Sequence, residues 1–156
     1  MSAISLDKID RSLLAALQDD GTLTSEKLSE RVGLSASAIH RRLQRLEKSG
    51  VIERRIAVVN PEAVGRGGLF LVGIEVEREQ RDLVEKLRRW IRSEPSIQQA
   101  YYVTGTSDYV LVVTAPDIAA FDALMSALME ANPNVRRFTT NVVMSSIKRG
   151  LYVPVE

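Results

Sequence analysis

The sequence predicts an α+β protein in which an N-terminal three-helix, winged helix-turn-helix domain is followed by a C-terminal ferredoxin-like βαββαβ domain. Apolar residues recur at helical spacing through the first 50 residues, whereas strand-like alternation begins only after them. Turn-forming residues at positions 60–68 separate the two patterns. We therefore expect a first domain over residues 1–60 and a second domain over residues 61–156.

Three helices are predicted in the first domain because a capping residue precedes each apolar repeat. Asp7, Thr24 and Ser35 have side chains that accept hydrogen bonds from the free backbone N–H groups of a first helical turn. Gly33 is expected to end the second helix in a left-handed conformation. The third helix is expected to end at Gly50.

A short strand and a hinge are predicted to follow the helices. Residues 51–59 are rich in β-branched side chains, which favour strands. Asn60 and Pro61 break this segment, and three glycines follow within residues 65–68. We expect the connection between the two domains to lie here.

Beyond the hinge the pattern predicts the element order β-α-β-β-α-β, which is ferredoxin-like. One sheet face is expected to be covered by the two helices. Leu71, Val143 and Met144 place apolar side chains on the other face, and a second subunit is the simplest cover for it. The predicted strands are 69–76, 97–104, 109–115 and 138–147, and the predicted helices are 79–93 and the segment after Asp117.

The third helix has two faces of opposite character. At about 100° per residue, Ile39, Leu43 and Leu46 share one apolar stripe that must face the core. The segment 36–55 holds six Lys or Arg against two Glu, so it is locally basic. A basic helix with polar side chains opposite its apolar stripe suits the major groove of double-stranded DNA.

Individual roles on this surface follow from side-chain chemistry, because arginine and glutamine can each make two hydrogen bonds to a base edge. The candidate base-contacting residues are Ser37, His40, Arg41 and Gln44. The candidate phosphate-contacting residues are Arg42, Arg45 and Lys48, with Arg54 and Arg55 reaching the flanking backbone. Ser35 is foremost an N-cap, and the amide groups beside it can bind a phosphate.

Composition excludes several other classes of function. The chain has no cysteine and one histidine, so we expect no disulfide, metal site, catalytic site or cofactor. No apolar run approaches the roughly 20 residues needed to span a bilayer. The first residues also lack the features of a signal peptide. We expect a cytoplasmic protein that is not an enzyme.

The sequence resembles the leucine-responsive/asparagine-responsive (Lrp/AsnC) transcription regulators over nearly its whole length. In the first half the resemblance rests on Leu6-Asp7-x-x-Asp10, on the run LSASAIHRRLQRLE from Leu34, and on Gly50-Val51-Ile52. In the second half it rests on Val103-Thr104-Gly105-x-x-Asp108-Tyr109, and on Lys148-Arg149-Gly150 followed by Pro154. Both halves in this order are far more specific than the helix-turn-helix pattern alone.

The resemblance implies a DNA-binding regulator that dimerises through its C-terminal sheet. Members of the family often assemble further into octamers or similar rings. Many bind a free amino acid between subunits, and the bound effector changes assembly or DNA affinity. An architectural protein that binds DNA with little sequence preference would use the same basic helix, and a regulator differs by preferring its own site by roughly a thousandfold or more.

The resemblance also places an effector site at the turn between the second and third strands. Backbone N–H groups and hydroxyls at this turn suit a carboxylate, and Asp108 suits an ammonium group. The same residues favour an ordinary hairpin turn, so both interpretations remain open. The candidate effector-binding residues are Gly105, Thr106, Ser107 and Asp108 of the turn and Thr139, Thr140 and Asn141 of the last strand.

Overall fold

A computed structural model describes residues 5–77 and 80–155 and divides the chain into two compact units. The first unit comprises Met1–Val58 and Lys148–Glu156, and the second comprises Val59–Ile147. The sequence assigned residues 148–156 to the second domain, whereas the structure packs this tail with the helical unit. The reason is a long-range contact that no local pattern encodes, because Val155 packs against the helical core.

The first unit contains three helices, α1 (Lys8–Asp19), α2 (Ser25–Val32) and α3 (Ala36–Lys48). The predicted N-caps are confirmed, since the side chains of Asp7, Thr24 and Ser35 each accept a hydrogen bond from a backbone N–H in the first turn. Gly33 ends α2 with a φ of 69°, and Gly50 follows α3 with a φ of 75°. These left-handed conformations favour glycine, which has no Cβ.

The helices enclose a small apolar core. Leu13, Leu28, Ile39 and Leu46 are fully buried in it, and Leu43 is nearly so. Each Å² of apolar surface that is buried stabilises a fold by about 25 cal/mol, so this core makes the main stabilising contribution to the unit. The apolar stripe predicted for α3 therefore faces inward, and its polar face is left in solvent.

The predicted strand over residues 51–59 was wrong. Residues 51–60 are all described, and none of them belongs to a strand. β-branched side chains favour strands only where a neighbouring strand and a buried face accept them. Here Val58 is 78% exposed and Ile56 is 57% exposed, so the segment runs through solvent without a partner strand.

The second unit begins with a 3₁₀ turn at Glu62–Val64 and contains one antiparallel sheet with strand order β2-β3-β1-β4. The predicted ferredoxin-like order is confirmed. Residue 79, where the first helix of this unit was predicted to begin, lies outside the described residues. The elements are β1 (Gly68–Val76), α4 (Arg81–Ser93), β2 (Ile97–Tyr102), β3 (Tyr109–Ala115), α5 (Ile118–Ala131) and β4 (Val135–Val142).

The last strand is shifted from its predicted position at 138–147. It begins at Val135 because that residue is buried and pairs with Val76 at the far end of β1. It ends at Val142, which pairs with Phe70 close to the start of its partner strand β1 at Gly68. Met144 and Ile147, which the prediction placed in the strand, are almost wholly exposed.

The two faces of the sheet differ. One face packs against α4 and α5 and forms the core of the unit, in which Phe70, Val72 and Ile74 of β1 are buried. Leu71 and Gly73 alternate with these residues and lie on the opposite face. We call this opposite side the open face. It is the face that the sequence predicted a second subunit would cover.

Candidate DNA-binding surface and effector site

The solvent side of α3 carries the predicted base-contacting residues, and all of them are exposed. They stand opposite the buried stripe of Ile39, Leu43 and Leu46. Near the C-terminal end of the helix, five side chains line one shallow depression, which brings three positive charges together. The exposed base-contacting candidates are Ser37, His40, Arg41 and Gln44, and the depression is lined by Arg41, Gln44, Arg45, Lys48 and Ser49.

A buried carboxylate ties α3 to α1. Asp10 is fully buried, and its Oδ1 accepts a hydrogen bond of 2.9 Å from Arg42 Nη1. Arg45 Nη2 pairs with the other oxygen of Asp10, and Arg42 Nη1 also reaches Asp7 Oδ2 at 2.6 Å. Asp7 and Asp10 complete a capping box at the start of α1. The carboxylates thus hold two basic side chains of α3 against the first helix.

This cluster shifts the ionisation of its members. The backbone N–H of Asp10 and the guanidinium of Arg42 lower the pKa of Asp7 below its ordinary value. Hydrogen bonds to Asp7 and Asp10 raise the pKa of Arg42. Arg42 is only 27% exposed and has two carboxylate partners, so it is less available to a phosphate than its predicted role requires. Arg45 keeps half of its side chain exposed and lines the depression as well.

The remaining predicted DNA contacts have local partners or are open to solvent. Ser35 Oγ accepts from the backbone N–H of Ala38 at 3.3 Å and lies 3.2 Å from Ser37 Oγ. Arg55 pairs with Glu47 at 2.9 Å, whereas Arg54 is exposed on the segment that follows α3. The exposed basic side chains of α3 are therefore Arg41, Arg45 and Lys48. Gln44 lies among them, and the polar side chains of Ser37 and His40 are exposed toward the N-terminal end of the helix.

Sequence reasoning missed the role of Asp10. An acidic residue three positions after an aspartate N-cap signals a capping box. Its pairing with two arginines on a different helix depends on tertiary packing, which no local pattern reveals. The signal available was the spacing of Arg42 and Arg45, which are three residues apart and so lie on one side of α3.

In the second unit, the predicted effector turn is held by hydrogen bonds to β1. The N–H of Asp108 donates to the carbonyl of Ile74 at 2.8 Å. The Asp108 carboxylate accepts from the N–H of Val76, also at 2.8 Å. Gly105 has a φ of 136°, a backbone conformation that residues with a Cβ rarely adopt. Thr106, the next residue, is exposed. One oxygen of Asp108 is therefore already used within the fold.

A glycine that the sequence analysis did not single out forms the floor beside this turn. A Cβ placed on Gly73 would lie 2.5 Å from Ser107 Oγ and 2.9 Å from Thr139 Oγ1. The two hydroxyls, from the turn and from β4, therefore meet above Gly73 on the open face. Glycine inside a strand often marks such a close approach, and this was the signal that could have identified it.

The residues predicted on β4 do not all share this face. Thr139 pairs with Gly73 and Asn141 pairs with Leu71, so both lie on the open face. Thr140 pairs with Val72, whose side chain is buried beneath the helices. Thr140 therefore lies on the opposite face of the sheet from Thr139, although the sequence analysis grouped the two in one effector site.

Other kinds of site are not found in the described part of the chain. Within residues 5–77 and 80–155, no three His, Asp or Glu side chains are grouped so as to hold a metal ion. None of the helices described there has the length and apolar character needed to cross a membrane.

Comparisons with known proteins match both units. Residues 6–53 match the winged helix-turn-helix DNA-binding domain, and residues 69–153 match the Lrp/AsnC ligand binding domain. The chain is therefore a transcription regulator in which a DNA-binding domain is joined to a ligand-binding domain. It belongs to the Lrp/AsnC family.

Relatives and solved structures agree with this assignment. The chain is 35% identical to the leucine-responsive regulatory protein of Escherichia coli over 92% of this chain and 88% of the relative. It is 40% identical to an HTH-type transcriptional regulator of Sinorhizobium fredii, over 99% and 91% of the two chains.

Its structure resembles an AsnC family regulator of Agrobacterium tumefaciens, with a TM-score of 0.89, 32% identity and coverage of 96% and 97%. A regulator of Neisseria meningitidis in complex with L-methionine gives a TM-score of 0.90 with 31% identity and the same coverage.

Proposed function

We propose that this protein regulates transcription by inserting α3 into the major groove of specific operator sites in the cytoplasm, under the control of a bound amino acid. The observation that carries the proposal is the exposed polar and basic face of α3, with Arg41 and Gln44 at its centre. Arginine discriminates guanine, and glutamine discriminates adenine, by paired hydrogen bonds to base edges. Lys48 and Arg45 then supply contacts to phosphates.

A dimer explains how one short helix reaches useful specificity. Two copies of α3 related by a two-fold axis would read half-sites about one turn of DNA apart, or about 34 Å. The open face of the second unit supports such a dimer, since Leu71 and Tyr101 there are exposed apolar side chains. Val110 and Val112 extend this apolar patch on β3. We propose a homodimer through this face, which assembles further to an octamer.

The effector site proposed here lies on the same open face. The hydroxyls of Ser107 and Thr139 above Gly73 provide donors for a carboxylate. The second oxygen of Asp108 is a partner for an ammonium group beside them. A related Neisseria regulator has been solved with L-methionine, which supports a free amino acid as the ligand. Because the site borders the proposed subunit interface, ligand binding and assembly would be coupled.

Selection of bound sequences from a random oligonucleotide pool tests the DNA-binding proposal. We expect a palindromic consensus that binds roughly a thousandfold more tightly than random DNA. Arg41→Ala should relax the preference at one base pair of each half-site. Arg92→Ala, an exposed arginine on α4, is the matched control and should leave the consensus unchanged. A pool without enrichment would instead indicate an architectural DNA-binding protein.

Calorimetric titration with the common amino acids tests the effector site. We expect at least one of them to bind, and Thr139→Val to weaken that binding by about tenfold because one hydroxyl donor is lost. Thr140→Val is the matched control, since this neighbour points to the other side of the sheet. Equal affinities of the two variants would contradict the site, and absence of binding to the wild type would remove it.

A further inference from the structure

A second cleft lies on the helix-covered side of the sheet, away from the open face. It has a volume of about 380 Å³ and is formed where α4 passes over the ends of β1, β2 and β3. Pockets of this size accommodate small organic molecules. Its lining consists of Val76, Arg81, Val84, Glu85, Arg88, Tyr102 and Tyr109.

Tyr109 provides an unusual polar group in this lining. The residue is only 3% exposed, and the O–H of its buried hydroxyl has no acceptor. The hydroxyl oxygen faces the Arg88 guanidinium, whose pKa is raised by Glu85 and by this hydroxyl. Buried polar groups in folded proteins are nearly always paired, because an unpaired one loses its hydrogen bonds to water without replacement. The fold thus keeps a donor at the cleft that its own side chains do not satisfy.

Charged and aromatic groups surround this hydroxyl. Arg88 Nη1 lies 2.9 Å from Glu85 Oε1, and the Arg88 guanidinium carbon lies 5.9 Å from the centre of the Tyr102 ring. The rings of Tyr102 and Tyr109 are 5.2 Å apart and tilted. Arg81 adds a second positive charge. Two arginines against one glutamate leave the described lining with one net positive charge.

We infer that this cleft binds a small monocarboxylate with an apolar body. The carboxylate accepts hydrogen bonds from the Tyr109 hydroxyl and the Arg88 guanidinium, and the single excess charge matches a monoanion rather than a phosphate dianion. Val76, Val84 and the tyrosine rings provide apolar walls for the remainder of the ligand. When the ligand binds, the Arg88 guanidinium gives up part of its ion pair with Glu85 and pairs with the ligand's carboxylate instead.

The inference is independent of the proposed effector site. Tyr109 pairs with Ile74, so it lies on the face of β1 that is buried under the helices. Ser107 and Thr139 meet above Gly73 on the opposite face. A substitution on one face therefore leaves the other site's lining unchanged, and the two sites can be tested separately.

The experiment is calorimetric titration of the full-length protein with sodium hexanoate, using 1-hexanol as the uncharged probe of equal length. Tyr109→Phe removes only the hydroxyl, Arg88→Gln removes the charge, and Arg92→Gln, at an exposed position of the same helix outside the cleft, serves as the control. Melting of each variant is measured in parallel. This second measurement separates loss of binding from loss of folding.

We expect saturable binding of hexanoate, weakened by about tenfold in Tyr109→Phe and in Arg88→Gln and unchanged in Arg92→Gln. Hexanol should bind more weakly than hexanoate. Tyr109→Phe should melt at the wild-type temperature or above it, because the variant no longer buries an unpaired hydroxyl. Any one of three results would overturn the inference: no saturable binding of hexanoate, wild-type affinity in Tyr109→Phe, or a lower melting temperature for that variant.

Discussion

Arg42 Nη1 donates a hydrogen bond of 2.9 Å to Oδ1 of the fully buried Asp10, which links α3 to the first turn of α1. The same carboxylate group accepts the backbone N–H of Asp7 at 3.2 Å and pairs with Arg45. One side chain therefore sets both the start of α1 and the orientation of α3. Presentation of the DNA-binding surface depends on a residue that does not touch DNA in our proposal.

Asp10→Ala is expected to destabilise the helical unit by about 2 kcal/mol. Removing one partner of a buried ion pair typically costs about 3–5 kcal/mol, but Arg42 and Arg45 are partly exposed and can regain water. Urea denaturation measures this loss. Asp19→Ala, at an exposed position on the same helix, should change the free energy of unfolding by less than about 0.5 kcal/mol. Similar losses in both variants would contradict the structural role of Asp10.

Acid should weaken the helical unit through Asp7. The pKa of its carboxyl is lowered from 3.8 by the backbone N–H of Asp10 and by Arg42. A carboxyl with a lowered pKa in the folded state stabilises the protein above its ordinary pKa, and this stabilisation is lost as the pH falls through the folded-state pKa. Asp7→Asn, which retains a capping side chain, should flatten the fall in melting temperature below about pH 4. Identical melting curves against pH for the two proteins would refute this role.

Lys48→Ala should weaken binding to all DNA sequences and reduce the slope of log affinity against log salt by about one unit. Lys48 is exposed in the depression on α3, whereas Arg42 is engaged by two carboxylates. Arg42→Ala should therefore leave the salt slope nearly unchanged and lower the free energy of unfolding instead. Fluorescence anisotropy at several salt concentrations separates the two variants. A smaller slope in Arg42→Ala would restore it as a phosphate contact.

Gly73→Ala should abolish amino acid binding without unfolding the protein. The new Cβ would approach Ser107 Oγ and Thr139 Oγ1 to less than 3 Å, so both hydroxyls must move. Each is the end of a short side chain that can rotate, so the fold should lose no more than about 1 kcal/mol. Calorimetry and thermal melting together measure this outcome. Unchanged affinity would exclude the space above Gly73 as part of the effector site.

Gln18→Leu should release the C-terminal tail from α1. The Gln18 side chain donates to the Val153 carbonyl at 2.9 Å and accepts from the Val153 N–H at 2.7 Å, so it holds the backbone from both sides. Two exposed hydrogen bonds of this kind contribute about 1 kcal/mol in total. Hydrogen exchange of the Val153 amide measures the release. The idea fails if this amide already exchanges as fast in the wild type as in Gln18→Leu.

Local chemistry explains what the sequence predicted well. A cap such as Asp7 or Thr24 and a terminator such as Gly33 act on the residues next to them, so their effect is visible within a few positions. The alternation of β1 is likewise local, and it placed Leu71 on the face away from the helices, where the structure leaves it exposed while Phe70 and Val72 are buried.

Features that depend on partners distant in the chain were not predictable in this way. The segment 51–59 has strand-like composition but no described strand pairs with it. Arg42 has the charge of a DNA contact, and only the packing of α1 against α3 shows that Asp7 and Asp10 pair with that charge. Thr139 and Thr140 were grouped by a family resemblance, whereas the register with β1 separates them onto two faces.

Residues 148–155 pack with the helical unit, although the match to the ligand-binding domain runs on to residue 153. A chimera made by a single fusion near residue 58 would give the helices of one regulator the tail of another. The residue at position 18 and the backbone it holds would then come from different parents. Exchange of residues 59–147 as one cassette keeps Gln18 and Val153 together, and it is the natural way to transfer a new effector response to these helices.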